Sequence, residues 1–276
     1  MASSRLPVIP LALLVLVLLG PALLADLIAP HDPYQSHLRN RLQPPVFAGG
    51  GWEFILGTDR LGRCILSRIL HGARYAVAIS AVGIVLGAAL GSALGLLAGY
   101  ARGWTDAVVM RLVDISFALP SVLLALALAV VFGPSFSAVL AVIVFVLWAS
   151  FARQVRGEVL SLRERDFVAR ARVAGASHLR ILSRHILPNV ANTITVMATL
   201  QLGVIILLEA TLSFLGIGVP RPTPTWGLLV ADGRQFVVSA WWISFFPGLA
   251  ILLSVLSINL LGDWLRDRLD PRLQQV

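Results

Sequence analysis

LSLRERDFVARARVAGASHLRILSRHILPN, residues Leu160–Asn189, is a polar island in an apolar chain. It carries six Arg after Leu162 and closes on Pro188-Asn189. Ser161-x-x-Glu164 fits a capping box, in which a hydroxyl and a carboxylate satisfy the free amides of a first helical turn. The helix starting there is predicted to run through Ala174 and stop at Gly175, a good left-handed terminator. Ser177 caps a second helix, predicted to run to Leu187 and to be ended by Pro188 and Asn189. The residues between are small: Ala169, Ala171, Ala174, Gly175 and Ala176. A short helical tip of this kind suits docking into a groove on another protein.

Working outward, the flanking runs belong in lipid. The chain has 276 residues, 58% hydrophobic and 13% charged, with a mean hydropathy of +0.86. This predicts an all-α, polytopic membrane protein rather than one soluble domain. Six transmembrane helices are expected. Leu6–Ile28 reads as an uncleaved first span, because its apolar run exceeds a signal-peptide core and Ala22-Leu23-Leu24-Ala25 is no clean cleavage site. The others are Tyr75–Gly99, about Ala107–Phe132 with Asp114 and Pro120 inside it, Phe136–Ala152, Val190–Gly216 and Trp241–Leu261. The chain thus divides into 1–28, an external loop at 29–73, five further helices at 74–265 with the polar loop 153–189 among them, and a tail at 266–276. Within the external loop, Leu56–Arg74 patterns as an amphipathic helix that either lies at the membrane surface or leads into span two.

Gly83, Gly87, Gly91, Gly95 and Gly99 recur every four residues, a GxxxG ladder that lets another helix backbone approach closely. All 22 cationic residues are Arg. With six spans, 14 fall on the side of both termini and 8 on the other, so the positive-inside rule puts the termini and Leu160–Asn189 in the cytoplasm. Some of these Arg anchor to anionic membrane lipid.

Several chemistries are excluded or lack support. Without Lys the chain has no Walker A loop, so nucleotide-driven work falls to another subunit. Cys64 is the only cysteine, and His31, His37, His71, His178 and His185 show no metal-ligand spacing. No catalytic triad or carboxylate pair is evident, so neither a catalytic residue nor a cofactor or metal site is expected. A basic helix-turn-helix tethered at both ends by spans cannot enter a DNA groove, so no nucleic-acid partner is expected. Among intramembrane polar residues, Glu209 lies about 28 Å from Val190 at 1.5 Å per residue, which favours a packing or gate residue at the outer mouth over a midplane substrate ligand. Asp114 is expected to pair with Arg111. Gln201 and Asn259 are candidates for interhelical hydrogen bonds.

Read together, DFVARARVAGASHLRILSRHILPN resembles the cytoplasmic "EAA" loop of binding-protein-dependent ABC importer permeases, in particular the dipeptide/oligopeptide/nickel branch. LGTDRLGRCILSR (Leu56–Arg68), EATLSFLGIG (Glu209–Gly218), PTPTWG (Pro222–Gly227), FPGLAI (Phe246–Ile251) and NLLGDWLRDRLDPRL (Asn259–Leu273) resemble that branch's further motifs in the same order, and fit its C-type permease. The resemblance implies the six-helix type I importer (MetI-like) fold. It also implies a second, B-type permease, two ATP-binding subunits that hold ATP and Mg, and an extracytoplasmic binding protein. On this resemblance Ala169, Arg170, Ala171, Gly175, Ala176, Ser177, Arg180, His185, Pro188 and Asn189 belong to the ATPase-coupling loop. Cys64, where the branch has Asp, and Arg170, where it keeps a methyl, depart from the pattern. The implied cargo is a peptide, with nickel or another small solute as the alternative. A secondary transporter would need several ionisable residues near the midplane, and almost none are present.

Overall fold

The computed structural model describes residues 7–269, and its regular structure is helical. Among them the only strand-like pairing is an isolated bridge between Thr58 and Cys64. Arg5 and the tail from Asp270 lie outside the described residues. The helices are α1 (Val8–Ile28), α2 (Ile65–Ala101), α3 (Gly103–Ala118), α4 (Ser121–Phe132), α5 (Phe136–Leu162), α6 (Asp166–Val173), α7 (His178–Phe214), α8 (Trp226–Gly233) and α9 (Trp242–Leu269). Five of them, α1, α2, α5, α7 and α9, are long and apolar enough to cross a membrane. The pair α3 and α4, bent by 86°, passes that test only jointly, which gives six spans if the pair is one broken span and five if it is a re-entrant loop.

That break corrects the continuous third span. Leu119 is extended (φ −87°, ψ 118°), because the proline ring at 120 disfavours a helical residue before it and supplies no amide of its own. Three further boundaries differ. The amphipathic helix predicted from Leu56 starts only at Ile65 and continues unbroken into span two. Upstream, Asp59 accepts from the amides of Leu61 and Arg63, and Gly57 and Gly62 take positive φ, so a side-chain-stabilised loop displaces the helix. The predicted capping box does not form either. Helix α5 runs through Ser161 to Leu162, with Val155 and Val159 buried along it, and Glu164 instead receives Arg102 at 2.9 Å. Nor does Pro188 end a helix. Leu182–Ile186 widens into a π turn, in which the Leu187 amide reaches back to the Leu182 carbonyl, and this makes room for the ring. Asn189 Nδ2 donates to the His185 carbonyl at 2.6 Å, and α7 continues to Phe214.

The chain forms two compact units. One comprises the residues up to Ala81 with Ala125–Leu140 and Leu202–Leu261. Its core joins Leu18 of α1, Ala73 and Ala76 of α2, Ile206 of α7, Trp226 and Leu229 of α8, and Ala250 and Ile258 of α9. The Trp226 indole donates to the Ile69 carbonyl at 2.9 Å, and that of Trp242 to the Thr58 carbonyl at 3.1 Å. Asp59 is fully buried beside Arg63 and Arg68. It accepts from Arg63 Nε at 2.7 Å and from Arg68 Nη1 at 2.6 Å. Buried Asp232 lies 3.8 Å from both guanidinium groups and accepts from Arg221 at 2.7 Å. Two cations are thus taken out of water only because two carboxylates accompany them.

The other unit comprises Val82–Leu124, Ala141–Gln201 and the residues from Gly262 onward. Here the glycine ladder of α2 meets α5. A Cβ built on Gly87 would come within 2.6 Å of Leu147 Cβ, on Gly91 within 2.3 Å of the Trp148 carbonyl oxygen, on Gly95 within 2.6 Å of the Ala152 carbonyl oxygen, and on Gly99 within 2.8 Å of Val159 Cβ. Gly83 is buried as well.

Replacing Asp59 by Ala leaves two buried guanidinium groups short of a partner. It is expected to cost about 3–5 kcal/mol, read as a lower thermal midpoint of the purified protein. Gly91→Leu should cost at least about 1–3 kcal/mol by overpacking, while Gly157→Ala, a helical glycine with open space around it, should be neutral or stabilising. Equal midpoints for the two glycine variants would refute the close approach of α2 and α5.

Candidate functional site

The polar island is a helical hairpin made by the end of α5, by α6 and by the start of α7. Helix α6 begins after Arg165, which offers no side-chain cap, and places Asp166 in the first turn, where the helix dipole favours an acid. It ends in a Schellman arrangement. The Gly175 amide donates to the Arg172 carbonyl and the Ala176 amide to the Ala171 carbonyl, both at 3.0 Å. Gly175 has φ +75°, a conformation that costs an L-residue free energy. Ser177 then caps α7, its Oγ accepting from the Arg180 amide at 3.4 Å.

What holds the hairpin upright is apolar. Val155, Val159, Val168, Ala171, Ile181, Ile186 and Val190 form one buried cluster, with Leu96 and Tyr100 of α2 packed against it. Polar ties add direction. The Tyr100 hydroxyl bonds His178 Nδ1 at 2.8 Å, and Arg163 Nη1 donates to the Tyr100 carbonyl at 2.6 Å. Arg156 grips Asp106 with two hydrogen bonds.

The tip faces outward. Val173 is 91% exposed and Leu179 76%, on either side of Gly175, and Ala169, Arg170, Arg172, Ala174 and Ser177 are exposed around them. Ala171 is buried and Ala176 half-buried, so the small residues split between the hairpin's core and its outer face. Arg165, Arg170, Arg172, Arg180 and Arg184 make no ion pair among the described residues, whereas Arg153, Arg156 and Arg163 do. The site therefore offers an apolar pair ringed by unpaired cations on a rigid base. Its small residues and turn were readable from the sequence. Val173 and Leu179 were missed, and the signal for them is their placement out of phase with the buried positions Val168, Ala171 and Ile181.

The remaining candidates lie elsewhere. Glu209 is 3% exposed and accepts from Ser213 Oγ at 2.6 Å, one helical turn further along α7. Asp114 pairs with Arg153 at 2.8 Å and not with Arg111, and the same guanidinium lies 4.4 Å above the Phe117 ring. A neighbouring helix thus supplies the counter-ion in place of the nearest basic residue in sequence. Gln201 and Asn259 make no side-chain hydrogen bond among the described residues. Asn259 Oδ1 instead lies against Gly203, where a Cβ would come within 2.8 Å of it. No group of three or more His, Cys, Asp or Glu able to hold a metal ion occurs among the described residues.

Comparison with known proteins bears on this arrangement. The family described as "Binding-protein-dependent transport system inner membrane component" matches residues 91–275, which include the whole hairpin. A putative peptide transport system permease protein of Brucella suis biovar 1 is 46% identical over 266 residues, 96% of this chain and 88% of the relative. The dipeptide transport system permease protein DppC of Escherichia coli K12 is 45% identical over 262 residues, 95% of this chain and 87% of the relative. Among solved structures, a chain of the MetNI methionine ABC transporter in an inward-facing conformation matches with a TM-score of 0.58 and 17% identity. That match covers 75% of this chain and 98% of the other, and it speaks for the fold. With the family match spanning the hairpin and relatives this similar along nearly their whole length, the chain belongs to the family of inner-membrane components of binding-protein-dependent transport systems.

Proposed function

We propose that this chain is one of two permease subunits of an ATP-binding-cassette importer that moves short peptides across the bacterial cytoplasmic membrane. The observation that carries the reading is the hairpin tip, with exposed Val173 and Leu179 held on a buried base among Arg that form no ion pair with any described residue. Apolar residues this exposed at a rigid helical end are what a partner's groove buries. That partner is an ATPase subunit, because the chain has no Lys with which to build a Walker A loop. Two such subunits bind ATP and Mg, a B-type permease completes the pathway, and an extracytoplasmic binding protein delivers the cargo. The excess of Arg on the hairpin's side supports a cytoplasmic position for the hairpin and both termini. Peptide as cargo is supported by the names of the relatives from Brucella suis and Escherichia coli. Buried Glu209, locked to Ser213, acts at the other end of α7 as a packing or gate residue.

Leu179→Asp leaves the buried cluster intact but places a charge at the docking face. Membrane insertion should be normal, co-purification of the ATPase subunits should fall about tenfold or more, and peptide uptake should be lost. Gly175→Asp should act similarly, because its side chain both strains the turn and protrudes from the tip. Normal ATPase recovery together with normal uptake in the Leu179 variant would sink the docking role.

A further inference from the structure

Beside the hairpin, α5, α7 and α9 line a half-open cavity of about 530 Å³ that the docking role leaves unused. This lies within the roughly 300–1,000 Å³ usual for small-molecule sites. One wall is a helical stripe of α7, with Asn189, Asn192 and Thr193 at the hairpin end and Val196, Met197 and Leu200 beyond them. Glu158 of α5 and Arg266 of α9 complete it, with Gln154 one turn before Glu158. The acid and the base line one cavity yet form no ion pair with each other or with any other described residue. Moreover, Glu158 Oε2 is withdrawn from solvent and has no hydrogen-bond partner among the described residues. A carboxylate oxygen in that position needs a donor.

We propose that this cavity binds the zwitterionic backbone of a short peptide on the hairpin side of the membrane, with Glu158 receiving the α-ammonium and Arg266 the α-carboxylate. The amides of Asn189, Asn192 and Gln154 and the Thr193 hydroxyl suit a peptide bond, which offers one donor and one acceptor whatever the side chains. Val196, Met197 and Leu200 give an adaptable apolar wall for those side chains, with methionine the most accommodating. Recognition by the two termini and the backbone selects short peptides by length and tolerates their sequence.

The inference rests on the peptide-importer reading, and its test separates the two. The whole transporter, with both permeases and its ATPases, is held in detergent without nucleotide or binding protein. Equilibrium binding is measured for radiolabelled dialanine, for N-acetyl-dialanine, which lacks the ammonium, and for dialanine amide, which lacks the carboxylate. The unmodified transporter should bind dialanine at least about tenfold more tightly than either blocked probe. Glu158→Gln should weaken dialanine by a similar factor and erase its advantage over the N-acetyl probe, while keeping its advantage over the amide. Arg266→Gln should do the converse. Comparing probes within each variant keeps the result meaningful if a variant is partly misfolded. The proposal is overturned if the two variants weaken all three probes alike, if they leave dialanine binding unchanged, or if a transporter that imports peptide binds no dialanine in this state. Failure of the unmodified transporter to import peptide with its binding protein would instead overturn the peptide reading, and this proposal with it.

Discussion

Backbone contact between α2 and α5 is the constraint on which the hairpin depends. Lipid tails are as apolar as leucine, so two helices in a membrane gain little by hiding apolar side chains from it and must gain by touching closely. Gly87, Gly91, Gly95 and Gly99 present no side chain along the line of closest approach on α2, so that α5 comes against bare backbone there. The last two contacts, of Gly95 with Val155 and of Gly99 with Val159, involve the same valines that begin the buried cluster of the hairpin. The ladder therefore sets the position and tilt of the post from which α6 is hung. Small changes along it are transmitted to the tip, because the cluster between them is close-packed and cannot absorb displacement.

The sequence made the glycine ladder, the turn at Gly175 and the Ser177 cap legible, since each depends on one residue type at one position. Features set by competition were not legible. Ser161 and Glu164 have the chemistry of a capping box, but burying Val159 on α2 is worth more than starting a new helix, so α5 runs through the serine. Pro188 reads as a terminator, and only the π turn before it, which no local pattern announces, shows why α7 can continue. The loop at Leu56–Cys64 has helical periodicity, yet the Asp59 side chain outbids the helix for the amides of Leu61 and Arg63. At the candidate site the small residues pointed to a docking surface. The two large apolar residues exposed there, Val173 and Leu179, look like core positions until the facing of α6 and of the start of α7 is known.

The chain's exclusive use of Arg fits the way its charges are employed. A guanidinium presents a planar fork that can satisfy both oxygens of a carboxylate, which an ammonium cannot. Arg74 holds Asp26 in that manner at 2.9 and 2.7 Å, and Arg156 holds Asp106. Arg68, almost fully buried, bonds Asp59 while facing Asp232. Cations that secure helices to one another thus come with carboxylates, and those around the hairpin tip come without. The same residue type serves cohesion in one place and display in the other, and only the presence of a carboxylate partner distinguishes the two.

The cavity and the hairpin are joined by two pairs of adjacent residues. Glu158 lines the cavity while Val159, the next residue, lies in the hairpin's buried cluster. Asn189 and Val190 repeat the pattern on α7. Neighbouring residues on a helix point about 100° apart, so each helix carries one side chain into the cavity and the next into the cluster. A ligand engaging Glu158 and Asn189 pulls on rigid elements that also carry Val159 and Val190. It can bias the hairpin only if it is held more tightly in one arrangement of α5 and α7 than in another. By reciprocity, an ATPase that seats on Val173 and Leu179 as proposed, and so favours one arrangement, must alter the cavity's affinity by the same factor. On the proposed binding and docking roles, release of cargo and engagement of the ATPase are two readings of one equilibrium, carried by α5 and α7, the first of which the glycine ladder positions.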